Sequence, residues 1–280
     1  MPIDYPAILD LRNDGVRASW TDLEPMLYAL GLGMGADPMD RRELDFVYER
    51  ALKVVPTFAT VLAAAANPQP EGLNRALVLD GERRLTLHRP LPATGAVVMD
   101  GRVLSVIDKG DKGAILTREV VIRDASDGAA IATLLSSQFA RGDGGFGGPS
   151  ETPPPAPMPD QAPDLTVDIP TRPDQALLYR LSGDRNPLHS DPDFAANAKF
   201  DRPILHGLCT FGICCRAILQ TWADYDPSAI KTFGARFSAP TFPGETVTVD
   251  LWRDGSDIAF EAKVAARGVA VIRNGAATLN

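Results

Sequence analysis

The sequence from residue 179 to residue 195 reads Tyr179-Arg-Leu-Ser-Gly-Asp-Arg-Asn-Pro-Leu-His-Ser-Asp-Pro-Asp-Phe-Ala195. A helical segment is predicted to end at Gly183, because glycine tolerates the positive φ angles that terminate helices. A tight loop then carries Asp184, Asn186 and His189 within six residues, and its prolines restrict the backbone. A carboxylate beside an imidazole can exchange protons near neutral pH, so the loop is a candidate acid–base site. Taken alone, such a pattern more often belongs to a polar turn with a surface histidine.

The composition is that of an ordinary soluble globular protein, with 45% hydrophobic and 23% charged residues in 280 positions. The net charge of −8 argues against a nucleic-acid partner, which needs clustered Lys and Arg to neutralise phosphates. The longest apolar run, at 60–66, is too short to span a bilayer, so no membrane association is expected.

Three features of the chain favour a cytoplasmic location, as in a bacterial protein. Residues 1–6 lack the basic start and apolar run of a signal peptide, and the last residues are not a peroxisomal address. Cys209, Cys214 and Cys215 lie on one predicted helix and form neither a disulfide framework nor a familiar metal-binding spacing. They are interpreted as small core residues in a reducing compartment.

In the first half, helices precede strands. Residues 1–19 are predicted to be irregular, and a short amphipathic helix follows with Ser19 or Thr21 as its N-cap. A longer, well-buried helical run is predicted at 40–66, interrupted at Pro56. From Ala76 the pattern becomes strand-like. The predicted strands lie at 77–79, 85–88, 97–106, 113–122 and 130–139.

A segment rich in proline and glycine separates the halves. The glycine-rich run 141–148 leads into the Pro-rich linker 149–170, which cannot bury a core and favours extended structure. We therefore predict a first domain at 1–148 and a second at 171–280. In the second half an apolar helix is predicted at 207–222, followed by strands at 231–238, 246–252, 257–265 and 269–277.

The two halves share the order helix then strands and a similar strand-to-turn step. Pro90 and Pro240, each just after a predicted strand, are 150 residues apart. A repeat of this length indicates a pseudo-symmetric duplication. A helix wrapped by a curled antiparallel sheet is the hotdog fold. The predicted fold class is therefore α+β, a double hotdog in which each half has a long central helix.

The longer string Tyr-x-Leu-Ser-Gly-Asp-x-Asn-Pro-Leu-His-x-Asp-Pro-x-x-Ala resembles the signature of the MaoC-like, or type-2, (R)-specific enoyl-CoA hydratases. The resemblance covers essentially the whole chain, which is similar to the hydratase domain of peroxisomal multifunctional enzymes. It implies a hydro-lyase that adds water to trans-2-enoyl-CoA and gives (3R)-3-hydroxyacyl-CoA. It also implies a homodimer that uses neither a metal nor a cofactor. The absence of a second catalytic loop from the first half suggests that this half shapes the acyl tunnel, for medium, long or bulky chains.

The resemblance assigns catalytic roles to four positions. Asp184 and His189 form the family's catalytic pair and would share one water, and Asn186 would orient it. Gly207 would donate its N–H to the thioester carbonyl, because it lies where a buried helix begins. His206 beside it is expected to be structural.

Seven further positions are expected to contact the substrate. The family pattern implies contacts from Asp80-Gly81, Lys109 and Phe237, and the loop adds its own neighbours, Arg185, Pro187 and Leu188. Asp80 departs from that pattern, since many relatives have histidine there, and a carboxylate would repel phosphates unless it bonds to adenine or ribose.

Three alternatives stay open. The first is a non-catalytic protein that binds acyl thioesters, although both the Asp and the His of the loop are present. The second is a dehydratase, or a hydratase for branched, diacid or sterol side-chain thioesters. The third is a metal-dependent hydrolase that uses His189, Asp191 and His206, for which the spacing is a weak signal.

Overall fold

The computed structural model describes residues 3–73 and 77–280. Ten strands of these residues form one antiparallel sheet, in the order β1-β3-β4-β5-β2-β7-β10-β9-β8-β6. The strands of the first half are β1 (Arg12–Trp20), β2 (Val78–Leu87), β3 (Gly95–Asp108), β4 (Ala114–Asp124) and β5 (Ala130–Ala140). Those of the second half are β6 (Leu165–Pro170), β7 (Ile230–Phe237), β8 (Thr246–Asp254), β9 (Asp257–Val264) and β10 (Val269–Leu279).

The strand order repeats about the centre of the sheet. β2 and β7 pair antiparallel there, with Arg84 opposite Gly234. From this pair outward, the first half runs β2-β5-β4-β3-β1 and the second half β7-β10-β9-β8-β6. Each half thus has the same topology, and the two sheets join edge to edge. The prediction of a double hotdog is confirmed.

The α-helices of the described residues are α1 (Leu23–Gly31), α2 (Arg41–Leu44), α3 (Ala59–Ala63), α4 (Gln175–Tyr179), α5 (Pro192–Asn197) and α6 (Gly207–Thr221). Of these six helices, α1, α3 and α6 pack against the sheet. α6 is the central helix of the second half, and its three cysteines are fully buried, which raises the pKa of each thiol. In the described part of the chain, no helix is both long and apolar enough to cross a membrane.

The prediction of a long helix at 40–66 is wrong. α2 ends at Leu44, and the chain is extended around Val55 before a short helical stretch resumes at Pro56. Proline lacks an N–H and clashes with a helical residue before it, so Val55 takes extended angles of φ −62° and ψ 127°. The central helix of the first half therefore comprises only α3 and its flanking 3-10 turns, from Pro56 to Ala66.

Two strands lie where none was predicted. β1 occupies part of the stretch expected to be irregular, and β6 forms the last six residues of the expected linker. Both are edge strands; β1 has a mostly polar sequence, and β6 is only six residues long and ends in Pro170, a residue that edge strands tolerate. The strands predicted at 77–79 and 85–88 form one strand, β2, with an irregularity at Gly81; the predicted start at Ala76 lies outside the described residues. The domain limits 1–148 and 171–280 stay predictions.

One hydrophobic core runs through both halves. It joins side chains of α1 and α3 to those of α4 and α6, and Tyr28, Phe58, Phe211 and Phe233 are among its largest fully buried members. α1 packs against α4, and the side chain of Gln175 donates to the carbonyl of Gly31 across the boundary. The end of α4, where the loop of residues 183–191 begins, is therefore fixed by contacts from the first half.

Candidate active site

The loop that follows α4 is shaped by its own side chains. A 3-10 turn ends at Gly183, whose φ of 127° a residue with a side chain rarely adopts. Asn186 Oδ1 then accepts from the N–H of Leu188 at 3.0 Å and caps the 3-10 turn Pro187–His189. Asp191 caps α5, because its carboxylate accepts from the N–H groups of Asp193 and Phe194. We refer to residues 183–191 as the catalytic loop.

His189 is held with one ring nitrogen free. Its Nδ1 lies 2.9 Å from the carbonyl oxygen of Ile204, which can only accept, so Nδ1 carries the proton. The lone pair of Nε2 then faces Asp184, whose Oδ2 is 4.0 Å away. This separation exceeds a direct hydrogen bond and allows a small molecule such as water to bond to both groups.

The electrostatics of this pair favour a neutral imidazole. Burial lowers the pKa of His189, and the bond to Ile204 and the charge of Asp184 oppose that effect only in part. The His189 side chain is 9% exposed, whereas the Asp184 side chain is 53% exposed. A buried proton acceptor thus lies beside a carboxylate that solvent or a ligand can reach.

His206, which contacts both members of the pair, directly precedes Gly207 at the start of α6. The His206 ring stacks on His189 with a centroid distance of 3.7 Å, and its Nε2 lies 3.1 Å from the backbone oxygen of Asp184. Burial and the neighbouring His189 lower the pKa of His206 to about 4. Gly207 is the first residue of α6, so its N–H is one of the free donors at the positive end of the helix.

Phe237 and Asp80-Gly81 border this helix end. A Cβ added to Gly207 would lie 3.3 Å from the Phe237 ring, so the ring covers the glycine. Phe237 ends β7, and the pairing of its neighbour Arg236 with Glu82 places Asp80-Gly81 beside it on β2. The predicted positions Asp184, His189, Gly207, Phe237 and Asp80-Gly81 are therefore brought into one region.

Asp80 is engaged within the protein. Its Oδ1 accepts from Arg83 Nη2 and from Gln138 Nε2, each at 2.8 Å. Burial acts to raise the pKa of Asp80, but Arg83, Gln138 and the buried Arg118 outweigh it and hold the pKa below its usual value. Arg118 in turn donates to Gln138, and sequence reasoning missed it. Its alternation with Leu116 and Val120 along β4 was an available signal that it points inward.

Lys109 is bonded to the segment that joins the two halves. Its Nζ donates to the carbonyl of Ser150 at 2.7 Å, and the preceding Asp108 accepts from the N–H groups of Gly145 and Gly147. These bonds fasten the glycine-rich run to the β3–β4 turn. The structure shows no contact between Lys109 and the catalytic loop within residues 3–73 and 77–280. Arg185 and Pro187 are exposed and Leu188 is half-buried, so their substrate contacts stay predictions, as does that of Lys109.

Asp184, His189 and His206 cluster closely enough to form a candidate metal site. One ligand atom from each residue lies within 4.8 Å of the others, and two histidines with a carboxylate suit zinc. The two imidazoles are stacked 26° from parallel, so their in-plane lone pairs run side by side rather than towards a common point. His206 Nε2 is also bonded to the Asp184 carbonyl, and Asp191 is occupied as a helix cap. The arrangement does not fit a tetrahedral metal.

Two aromatic residues of the site were not identified from the sequence. The Tyr179 ring lies 4.9 Å from that of His206, and Tyr28 of the first half lies 5.8 Å from Tyr179. Both tyrosines are buried, and burial raises the pKa of each phenol. Tyr179 is the first residue of the motif at 179–195, but no sequence pattern indicates that it contacts a histidine 27 residues later.

Both halves of the chain are similar to known proteins. Residues 19–142 match the model described as the MFE-2 hydratase 2 N-terminal domain, and residues 155–274 match the MaoC like domain. The chain is 43% identical to Enoyl-CoA hydratase ChsH3 of Mycobacterium tuberculosis, with 98% of each chain covered. It is 42% identical to 3-hydroxyacyl-thioester dehydratase Y of the same organism, over 84% of this chain and 82% of the relative. The crystal structure of a MaoC-like dehydratase from Phytophthora capsici superposes with a TM-score of 0.88 and 30% identity, covering 99% of each chain.

Proposed function

The chain belongs to the MaoC-like, type-2 enoyl-CoA hydratases and is a hydro-lyase, and from this premise we propose that it converts trans-2-enoyl-CoA into (3R)-3-hydroxyacyl-CoA. The reaction is reversible, so the same site would dehydrate the hydroxyacyl thioester. The observation that carries the proposal is the 4.0 Å separation between His189 Nε2 and Asp184 Oδ2. One water that bonds to both groups supplies all the atoms that the reaction adds.

The pair moves one proton of that water. As the water oxygen bonds to C3, one of its O–H bonds breaks and the proton passes to the pair; the C2 carbanion, delocalised as an enolate, then takes a proton from the pair. Because OH and H come from one site, they add to the same face of the double bond. Asp184 Oδ2 and His189 Nε2 are 4.0 Å apart and reach the same water, so the proton transfers are assigned to the pair and not to one member. Asn186 supports this geometry through the turn that it caps.

Gly207 would stabilise the enolate. Its N–H lies at the positive end of α6, where a developing negative charge is favoured. A single such donor contributes roughly 3–4 kcal/mol to an oxyanion intermediate. The absence of a side chain at Gly207 lets the thioester oxygen approach the backbone, with the Phe237 ring against the same surface.

The first half would hold the acyl chain. Its central helical stretch has only five α-helical residues in α3, whereas α6 has fifteen. The shorter helix supports the proposal that this half accommodates medium, long or bulky chains. We also propose acyl-CoA as the substrate, no cofactor, a cytoplasmic location and a homodimer. Lys109, Arg185, Pro187 and Leu188 are proposed to contact the CoA.

The test is hydration of trans-2-enoyl-CoA substrates of graded length, without added metal and in the presence of EDTA. We expect turnover and a (3R) product, as determined by chiral chromatography. A (3S) product contradicts the proposed stereochemistry, and loss of turnover with EDTA contradicts a metal-free reaction. Turnover only of diacid or sterol side-chain thioesters favours the alternative substrate classes. No turnover on any thioester, with binding retained, favours the non-catalytic alternative.

A further inference from the structure

We propose that His206 is a positioning residue of the catalytic pair, which rests on the function proposed above. As the neutral Nε2–H tautomer it donates to the backbone carbonyl of Asp184, and its ring stacks on His189. One side chain thus contacts both members of the pair and sets the distance between them. Neither the family match nor the names of the relatives assigns this role.

The bonding partners define the tautomers of both histidines. Nε2 of His206 faces a carbonyl oxygen at 3.1 Å, so it carries the proton and Nδ1 does not. Nδ1 of His189 faces the carbonyl oxygen of Ile204 at 2.9 Å, so here Nδ1 carries the proton and Nε2 does not. Two imidazoles 3.7 Å apart therefore hold opposite tautomers. This arrangement leaves the His189 lone pair free and the His206 N–H engaged with the loop.

The His206 ring is fixed on several sides. It is 1% exposed, and it contacts the Tyr179 ring at 4.9 Å as well as His189. Within the part of the chain that the structure describes, its Nδ1 is buried without a hydrogen-bond partner. An unpaired buried acceptor destabilises the folded state. The position of the ring is therefore determined by its contacts with His189 and the Asp184 carbonyl, and not by the hydrogen bonding of Nδ1.

His206 itself is poorly suited to react. One ring nitrogen is bonded to Asp184 and the other is buried, so neither meets the substrate. Asp184, in contrast, follows Gly183 in an exposed stretch of backbone. A displacement of about 1 Å in a catalytic group can lower the rate about 10²-fold. A donor that holds the Asp184 carbonyl therefore affects turnover without touching the reacting atoms.

Two variants separate the functions of the His206 side chain. In His206→Gln the amide keeps an N–H near the position of Nε2 and loses the ring, whereas His206→Phe keeps a ring that can stack and loses the donor. We expect His206→Phe to lower kcat about 10²-fold, with KM within about threefold. His206→Gln should retain kcat within about tenfold of the wild type. Cys214→Ala, on the same helix and equally buried, controls for destabilisation and should keep the wild-type kcat.

A second measurement does not depend on activity. The chain has three histidines, so the ring nitrogens can be assigned by ¹⁵N NMR. We expect an unprotonated Nδ1 in His206 and an unprotonated Nε2 in His189. A protonated Nδ1 in His206, or a His206→Phe protein with the wild-type kcat, overturns the proposal. If the wild type hydrates no enoyl-CoA, the proposed function fails, while the tautomers still decide whether His206 holds the Asp184 loop.

Discussion

Glu43 of the first half forms a buried ion pair with Arg216 of α6 in the second half. Glu43 Oε1 accepts from Nε and Nη2 of Arg216 at 2.9 and 2.5 Å, and Oε2 accepts from the N–H of Gly35. The two side chains are 5% and 12% exposed, respectively. The pair fastens the start of the first half to the central helix of the second, and the site lies at the N-terminal end of that helix.

Breaking this pair should strongly destabilise the protein. Glu43→Ala or Arg216→Ala leaves one charge buried without a partner, which costs about 3–5 kcal/mol. The double variant Glu43→Leu/Arg216→Met should cost far less, because no charge is left behind. Urea unfolding measures the free energies. Asp174→Ala removes an exposed pair with Arg172 and should cost less than about 1 kcal/mol. Equal losses of unfolding free energy at the two pairs would show that the buried pair stabilises the protein no more than the exposed one.

The stability of the protein should fall as the pH drops from about 6.5 towards 4. Burial lowers the pKa of His206 to about 4, so in this range the unfolded chain binds a proton that the folded chain does not. The stabilisation is therefore complete above the pKa that His206 has in the unfolded chain, and it is lost as the pH falls through the pKa of the folded chain. The loss is up to about 3 kcal/mol, at roughly 1.4 kcal/mol per pKa unit. Urea unfolding between pH 7 and 4 should show a smaller loss in His206→Phe. The exposed His88→Gln serves as the control, and an unchanged loss in His206→Phe would contradict this origin.

The activity should decline on the acid side only at pH values below the usual pKa of histidine. The free Nε2 of His189 must be unprotonated to accept a proton, and burial lowers the pKa of this group. The profile of kcat/KM against pH should therefore decline on the acid side only below about pH 6.5. A decline that begins well above that pH would show that His189 is charged in the free enzyme.

The sequence predicted those elements whose residues repeat an apolar pattern. α6 and the strands are apolar at most of their buried positions, and Asp184, Asn186 and His189 lie within six residues of one another in the sequence. β1 escaped prediction because its sequence is mostly polar and little of it is buried, and β6 because it is only six residues long and directly follows a Pro-rich segment. The His206 contact with Asp184 spans 22 residues and depends on how α6 packs, which no local pattern records.

Gly207→Ala tests whether the thioester oxygen must approach the backbone N–H of this residue, and a second substitution distinguishes this effect from crowding against Phe237. The added methyl group would lie 3.3 Å from the Phe237 ring and over the approach to the Gly207 N–H. We expect kcat to fall roughly 10–10²-fold, approaching the loss of an oxyanion donor. Phe237→Leu in the same protein relieves the crowding and should restore the melting temperature but not kcat. If it restores both, crowding rather than the N–H explains the loss.

Adjacent alanines of the first half test where the acyl chain lies. Ala63 is fully buried at the end of α3, while the next residue, Ala64, is exposed. Ala63→Leu should depress turnover of long-chain enoyl-CoA more than that of crotonyl-CoA, and Ala64→Leu should alter neither. Overpacking alone costs typically 1–3 kcal/mol, so the melting temperature is measured in parallel. Equal losses on both substrates would place the acyl chain elsewhere.

The catalytic pair is tested by Asp184→Asn and His189→Gln. If one water bonds to both groups, each variant should lower kcat about 10²–10⁴-fold, because either loss interrupts proton transfer. KM should change little, since neither of these two side chains is among those proposed to contact the CoA. The double variant should be scarcely slower than either single one, as residues that act as a unit are strongly non-additive. Asparagine nearly matches aspartate in shape and favours turns, so a merely structural Asp184 would tolerate it. A folded Asp184→Asn protein that keeps more than roughly a tenth of the wild-type kcat would therefore overturn the mechanism.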